Sequence, residues 1–299
     1  MSRLYRVLAV VAVLCATSAL AREKATVLGV FLPTTMADGQ QRFDVAEKLG
    51  AALGDKLGQK VVARNFGRYE DFAKAVSSGQ LDVAIVDAWA AVQLDKGKSI
   101  ALGAVSGDAL QRWAIVSYRK GPVKDLSGKR LVVPRGARAF DAKFVSNVMF
   151  VGDFDARRNF RLVSVPNVES ALRLLASKGA EAALVPAMHA PDDAKVLYRS
   201  APLPGVVALS LRGDADAMRK AVVQMSAASP IERFTAAGTD ALDPLHRLLV
   251  KGPPRRKPVV AESPGFVLDT APLVSFHDVG FSLPSFVDEI ESPKEQPDD

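Results

Sequence analysis

Apolar runs and helical stripes alternate along the first half of the chain. Residues 25–31 and 81–89 are short and largely apolar, which is typical of buried strands, and residues 60–64 form a third such run. Between them, residues 41–57 and 69–76 place apolar side chains at helical spacing. Strand, helix, strand, helix and strand with short links predict a parallel sheet covered by helices. The pattern therefore places the chain in the α/β fold class.

The same alternation returns in the second half. Its members are predicted strands at 113–118, 130–133, 160–163 and 182–185, and predicted helices at 140–149 and from 168 onward. Two extended runs within 195–211 are broken by Pro202 and Pro204. They lead to a helix around 218–225, which is expected to cover the first lobe as the chain returns.

These two α/β runs predict two lobes, in keeping with the length of the chain. Residues 22–118 and 205–249 are assigned to lobe 1, and residues 119–204 to lobe 2. The chain then passes between the lobes near Lys120 and near Pro204. Two crossing strands at these places are expected to act as a hinge.

Residues 250–299 form a proline-rich C-terminal extension with three regimes: a basic start, an apolar middle and an acidic end. Its phenylalanines argue against a wholly disordered tail, because disordered segments are poor in aromatic residues. Either the middle wraps a lobe as extended segments, or it docks on a partner in the envelope. Wrapping is favoured for residues 259–290, with 291–299 disordered.

The N-terminus has the pattern of a secretory signal peptide. Arg3 and Arg6 precede an apolar run over residues 7–16, and Ala19-Leu20-Ala21 offers a small-x-small cleavage site. Cleavage after Ala21 removes residues 1–21 and with them the single cysteine of the chain. The mature protein is therefore expected to be periplasmic or secreted.

Charge and motif content favour binding of a small molecule over other functions. The formal net charge of +6 favours the binding of small anions. The sequence has no basic stripe with interleaved aromatic residues, so a nucleic-acid partner is not expected. The motifs of hydrolases, zinc proteases and phosphate loops are absent from the sequence. The three histidines lack metal-ligand spacing, so neither catalysis nor a cofactor is expected.

Candidate ligand-binding residues lie at the carboxyl ends of two of the predicted strands. Ligands of such sheets collect beyond the carboxyl ends of the strands, which places Thr34, Thr35, Asp87 and Trp89 along one edge. Each has a structural alternative. The threonines fit an ordinary turn, Asp87 fits a helix cap, and Trp89 fits the core.

A second set of candidates follows the strand at 130–133. Arg135, Gly136, Ala137 and Arg138 form a loop that opens a helix, so an oxyanion is expected to meet backbone N–H groups and guanidinium groups there. A solvent-facing turn is the alternative. Asn167 precedes the helix from residue 168 and fits its N-cap.

Several segments resemble the phosphonate- and phosphate-type periplasmic solute-binding proteins of ABC importers. The segments that show this resemblance are Leu28-Gly29-Val30-Phe31, Tyr69-Glu70-Asp71-Phe72, Ser78-Gly79-Gln80-Leu81-Asp82-Val83-Ala84, residues 123–130 and Ser229-Pro230-Ile231. The resemblance covers residues 27–248. It implies a two-lobed type II binding-protein fold, a small anionic ligand in the cleft, and an ABC transporter permease as partner. Tyr69 and Asn167 complete the candidate ligand-binding residues.

The chain departs from this family at the ligand. Where the family has a Ser/Thr-Ser/Thr-Gly loop for a phosphonate, this chain has Arg135-Gly136-Ala137-Arg138, and Pro186-Ala187 replaces a frequent acidic residue. Two functions therefore remain open. One is capture of a small oxyanion for an importer, and the other is a sensor or docking role after loss of the transport ligand.

Overall fold

A computed structural model describes residues 25–36, 39–94, 96–134 and 141–253 of the chain. The signal peptide, the arginine loop at 135–138 and the extension beyond residue 253 lie outside the described residues, so the predictions about them stay predictions. In the described part, no helix combines the length and the apolar character that crossing a bilayer requires.

The strands and helices have the following bounds. The strands are β1 (Thr26–Phe31), β2 (Val61–Asn65), β3 (Val83–Asp87), β4 (Lys98–Val105), β5 (Leu110–Gln111), β6 (Trp113–Ser117), β7 (Lys129–Pro134), β8 (Phe160–Val165), β9 (Ala182–Pro186), β10 (Lys195–Arg199), β11 (Leu203–Pro204), β12 (Val206–Ser210) and β13 (Ile231–Ala236). The helices are α1 (Gly39–Leu57), α2 (Tyr69–Ser77), α3 (Ala88–Ala91), α4 (Asp141–Lys143), α5 (Ala156–Asn159), α6 (Val168–Ala176), α7 (Ala215–Gln224) and α8 (Asp243–Lys251).

The first lobe is built on a six-stranded sheet in the order β13-β4-β12-β3-β1-β2. Strands β1, β2 and β3 run parallel, whereas β12 and β13 add antiparallel partners on the return of the chain. Helix α1 buries Val45, Ala46, Leu49 and Leu53 in a core with α7. The helical spacing also predicts Phe43 on the buried face, but Phe43 is 50% exposed, because it lies to the side of the stripe formed by the buried residues.

The second lobe is built on a five-stranded sheet in the order β10-β6-β9-β7-β8. Strands β7, β8 and β9 run parallel, so their carboxyl ends meet at one edge. The predicted helix at 140–149 begins as α4 and continues as a π-helical segment, Phe144–Met149. Two separate sheets confirm the two-lobed α/β architecture.

The chain passes between the lobes along a short antiparallel ribbon of β5 and β11, in which Gln111 pairs with Leu203 and Leu110 with Pro204. Strand β6 already pairs in the second sheet, so the first passage lies before Trp113 and not near Lys120. The boundary was expected near Lys120 because the sheet to which β6 belongs depends on its pairing with β9, and the local sequence pattern does not show this pairing.

A third connection joins the lobes. Helix α8 follows β13 of the first sheet, yet it packs against the π-helical segment of the second lobe. Leu245 and Leu249 of α8 are buried in the same core cluster as Phe144 and Met149. Residues 243–249 were expected to belong to lobe 1. They instead cross the interlobe boundary because their apolar face is buried on lobe 2.

Candidate ligand-binding site between the two lobes

A buried carboxylate organises the first-lobe side of the site. Strands β1 and β3 are parallel neighbours, so Thr34 and Thr35 after β1 meet Asp87 at the end of β3. The Thr34 backbone N–H and Thr34 Oγ1 both donate to Asp87 Oδ2, at 2.7 and 2.6 Å. Thr35 Oγ1 donates to Asp87 Oδ1 at 2.6 Å. Three of the predicted site residues are therefore brought together by direct hydrogen bonds.

Asp87 is 1% exposed, and burial raises the pKa of its carboxyl to about 6. Hydrogen bonds from Thr34 and Thr35 favour the ionised form, so they lower the pKa and offset part of the effect of burial. The alternative role as a helix cap is wrong, because the Asp87 side chain makes no capping hydrogen bond to α3. Its oxygens are directed to the threonines instead.

The two threonine hydroxyls were expected to donate to a bound anion. Each hydroxyl has one proton, and both protons are directed to Asp87. The hydroxyl oxygens therefore retain only lone pairs for any further partner. Donors for an anion must come from other groups around the site.

Three aromatic side chains meet where the lobes join. Trp89 from α3, Trp113 from β6 and Phe144 from the π-helical segment have ring centroids 4.9–5.4 Å apart. Their tilted and edge-to-face arrangement is the favourable one for aromatic rings. Because Trp89 belongs to the first lobe and the other two to the second, the cluster holds the lobes against each other.

A small pocket lies beside this aromatic cluster, and its open space accommodates about one water molecule. Its wall combines the first lobe, the hinge ribbon, the second lobe and α8. The lining residues are Thr34, Trp89, Gln111, Trp113, Phe144, Leu203, Pro204, Gly205 and Leu245. No lining residue among those described has a formal charge, so polar recognition here depends on neutral groups.

Two buried donors in this wall have no hydrogen-bond partner among the described residues. They are Nε1 of Trp89 and Nε2 of Gln111. A buried N–H group without an acceptor is costly, which makes such groups informative about a missing partner. Gln111 was not predicted from the sequence. Its only signal is a polar residue in a hinge strand, and the hinge itself was expected further along the chain.

His189 connects the second lobe to the same threonines. It follows β9, and its Nε2 lies 3.2 Å from the backbone carbonyl oxygen of Thr35. Burial lowers the pKa of His189, whereas the contact with Thr35 opposes this effect. His189 is one of the three histidines for which the sequence predicted no metal site, and no role in ligand binding was predicted for it. It is in fact part of a contact between the lobes.

Tyr69 and Asn167 are not among the residues that line the pocket. Tyr69 packs on Phe31, with ring centroids 6.0 Å apart. Asn167 accepts a hydrogen bond from the Ser170 N–H at 2.8 Å, which makes it the N-cap of α6. Residues 135–138 lie outside the described part of the chain. The described ranges also contain no group of three acidic, cysteine or histidine residues placed to hold a metal ion.

Solved structures share this fold at low sequence identity, and none of the curated proteins matches the chain. A binding protein component of an ABC phosphonate transporter from Pseudomonas aeruginosa is 14% identical, with a TM-score of 0.59 over 75% of this chain and 86% of its own. PhnD1 from Prochlorococcus marinus, in complex with methylphosphonate, is 11% identical, with a TM-score of 0.60 over 75% and 97% of the two chains. A protein from Xanthomonas citri, bound to ATP, is 13% identical, with a TM-score of 0.59 over 77% and 98%. At these identities the likeness shows the fold alone.

The sequence itself also matches a family. The family described as "ABC transporter, phosphonate, periplasmic substrate-binding protein" matches residues 31–247, which include the second sheet, the first sheet apart from most of β1, and the pocket wall. This confirms the resemblance on which the sequence analysis relied. The chain belongs to the phosphonate-type periplasmic substrate-binding proteins of ABC transporters.

Proposed function

We propose that this protein captures a small oxyanion, such as phosphate or a phosphonate, between the two lobes, with one oxygen of the anion in the water-sized pocket, and delivers it to the permease of an ABC importer. The observation that carries the proposal is the pocket between the lobes, with unpartnered buried donors on Trp89 and Gln111. Signal-peptide cleavage after Ala21 would release the mature protein into the periplasm. The methylphosphonate bound by PhnD1 is the model for the ligand class.

The topology supports a ligand at this place. The carboxyl ends of β1 and β3 in one lobe and of β7 and β9 in the other all point toward the interlobe boundary, where open α/β sheets bind ligands. Strand β7 ends at Pro134, and Arg135 is the next residue in the sequence. In the proposal, Arg135 and Arg138 supply the charged donors that the described pocket wall lacks, with Gly136 and Ala137 offering backbone N–H groups.

A second candidate function is a sensor or docking role without a transport ligand. It is favoured by the small size of the pocket and by the aromatic cluster that closes it. In this alternative, the Trp89, Trp113 and Phe144 rings hold the lobes together permanently. The two functions differ in whether any oxyanion stabilises the protein.

Calorimetric titration and thermal unfolding of the purified mature protein test the proposal. The probes are inorganic phosphate, methylphosphonate, methanesulfonate and acetate. A ligand at a hundred times its dissociation constant adds about 2.7 kcal/mol to the free energy of unfolding. We expect this for phosphate or methylphosphonate, and we expect Arg135→Ala/Arg138→Ala to abolish it.

The matched control for the double variant is Arg157→Ala/Arg158→Ala. This change removes the same number of charges from α5, where both side chains are exposed. Ligand binding should persist in the control. If none of the four anions binds or stabilises the mature protein, the transport function is excluded in favour of the docking role.

A further inference from the structure

The hinge ribbon contributes to the pocket wall directly. Gln111 ends β5 and pairs with Leu203 of β11, so its side chain lies where the chain passes between the lobes. Trp89, at 3% exposed, borders the same pocket from the first lobe. Both residues present a buried nitrogen donor that has no acceptor in the described part of the protein.

Gly205 makes room for this arrangement. A Cβ atom on Gly205 would lie 2.5 Å from Gln111 Nε2 and 2.8 Å from Gln111 Cγ, both closer than real Cβ contacts. The Gln111 amide therefore packs directly over the Gly205 backbone. Any larger residue at position 205 would push the amide out of its place in the pocket wall.

The chemistry of the wall selects the kind of group that fits between these donors. The Trp89 indole N–H and the Gln111 amide N–H only donate, so a partner of either group has to be an acceptor. The hydroxyl protons of Thr34 and Thr35 are directed to Asp87 and do not compete for it. An oxygen of an oxyanion carries several lone pairs, and the space lined by these residues accommodates a group of about the size of a water molecule.

We infer that Trp89 and Gln111 form a two-donor clamp, seated on the hinge, that holds an oxygen of the ligand's oxyanion group. The inference rests on the proposed function and adds a neutral contact that selects acceptors and not cations. Because Gln111 is on the hinge ribbon, a ligand held by the clamp also ties the lobes together through β5. Gly205 acts as a positioning residue, since it contacts Gln111 and fixes the amide.

The clamp is tested with full mature protein and methylphosphonate as the probe. The chain has two tryptophans, so a ¹⁵N-labelled sample gives two indole N–H signals, and Trp89→Phe identifies one of them. We expect methylphosphonate to shift the Trp89 signal downfield, as a new hydrogen bond does. Trp89→Phe keeps an aromatic ring and removes the donor, and Gln111→Leu removes the amide at similar size.

Each single variant should weaken methylphosphonate binding about tenfold or more, the usual loss for a hydrogen bond to a charged group. Gln80→Leu makes the same chemical change on a side chain that bonds Arg64 at the surface, and it should bind like the wild type. Gly205→Ala should weaken binding as Gln111→Leu does. Their combination should lose no more than either alone, since both remove one contact.

The outcomes separate the clamp from the proposed function. If the wild type binds methylphosphonate and both Trp89→Phe and Gln111→Leu bind it equally well, the clamp is refuted and the binding function stands. Additive losses for Gly205→Ala and Gln111→Leu would also refute the positioning role of Gly205. If neither methylphosphonate nor phosphate binds the wild type, the clamp and the proposed function fail together.

Discussion

The buried carboxylate of Asp87 gives the most direct prediction about stability. Asp87→Asn replaces the charge by a neutral group of the same shape. In the wild type, the Thr34 backbone N–H donates to Asp87 Oδ2 at 2.7 Å, and the Asn oxygen of the variant can accept the same bond. The Thr35 hydroxyl, which donates to Asp87 Oδ1 in the wild type, rotates to accept from the new amide N–H. The substitution therefore removes the titration with little change in packing.

The magnitude follows from the pKa. Burial raises the pKa of Asp87 from its ordinary value of 3.8 to about 6 in the folded protein. Each pKa unit corresponds to about 1.4 kcal/mol, so this difference corresponds to roughly 3 kcal/mol. The folded state binds the proton more tightly than the unfolded state. The stabilisation that comes from protonated Asp87 in the folded state is thus fully present below pH 3.8 and is lost as the pH rises through about 6.

Urea unfolding of wild type and Asp87→Asn between pH 4 and pH 7.5 measures this effect. Because Asp87 in the unfolded chain is already more than half ionised at pH 4, the wild type should lose roughly 2.4 kcal/mol of unfolding free energy relative to the variant between pH 4 and pH 7. The difference between the proteins cancels titrations that they share. His189 contacts Thr35, so the pair is also compared in a His189→Gln background. A difference that does not change with pH would refute the buried-charge account of Asp87.

Two further predictions concern the contacts that join the lobes. Leu249→Ala should lower the unfolding free energy by about 2–5 kcal/mol, because Leu249 is buried where α8 packs on the second lobe. The neighbouring Val250 is 51% exposed, so Val250→Ala should lower the unfolding free energy much less. Equal losses for the two variants in chemical unfolding would contradict the packing of α8. Burial lowers the pKa of His189 in the folded protein, so the unfolded state binds the proton more tightly and the protein loses stability below pH 6.5. His189→Gln should reduce this loss. An unchanged decrease of unfolding free energy with falling pH in the same urea series would contradict the role of His189.

Most elements of regular structure could be predicted because they depend on local patterns. The apolar runs at β1, β3, β7 and β9 and the helical stripe of α2 appear close to their expected positions. Strand β13 was missed, because at the sheet edge it buries only Ile231 and Phe234, which are three positions apart, and so lacks the alternation typical of a strand; it also contains charged side chains. Strand β4 was missed as well. Its place in the sheet is fixed by pairing with β12 and β13 on the return of the chain.

The candidate site was predictable in part for the same reason. Thr34, Thr35, Asp87 and Trp89 follow strands, and the rule about strand ends was enough to group them. Their hydrogen bonds were not predictable, because Asp87 accepts from residues more than fifty positions away. The rule predicted donors for a ligand, whereas the structure uses the hydroxyl protons to stabilise the buried carboxylate.

The sequence by itself determined the α/β class, the family and the strand ends that carry the first-lobe half of the site, because these depend on periodicity and short-range spacing. Only the tertiary structure decided that β6 belongs to the second sheet, that α8 crosses to the second lobe, and that Gln111 and Trp89 line the same pocket. Each of these depends on pairing between segments far apart in the chain. Such pairing is decided by which apolar faces bury each other, and that competition involves the whole molecule at once.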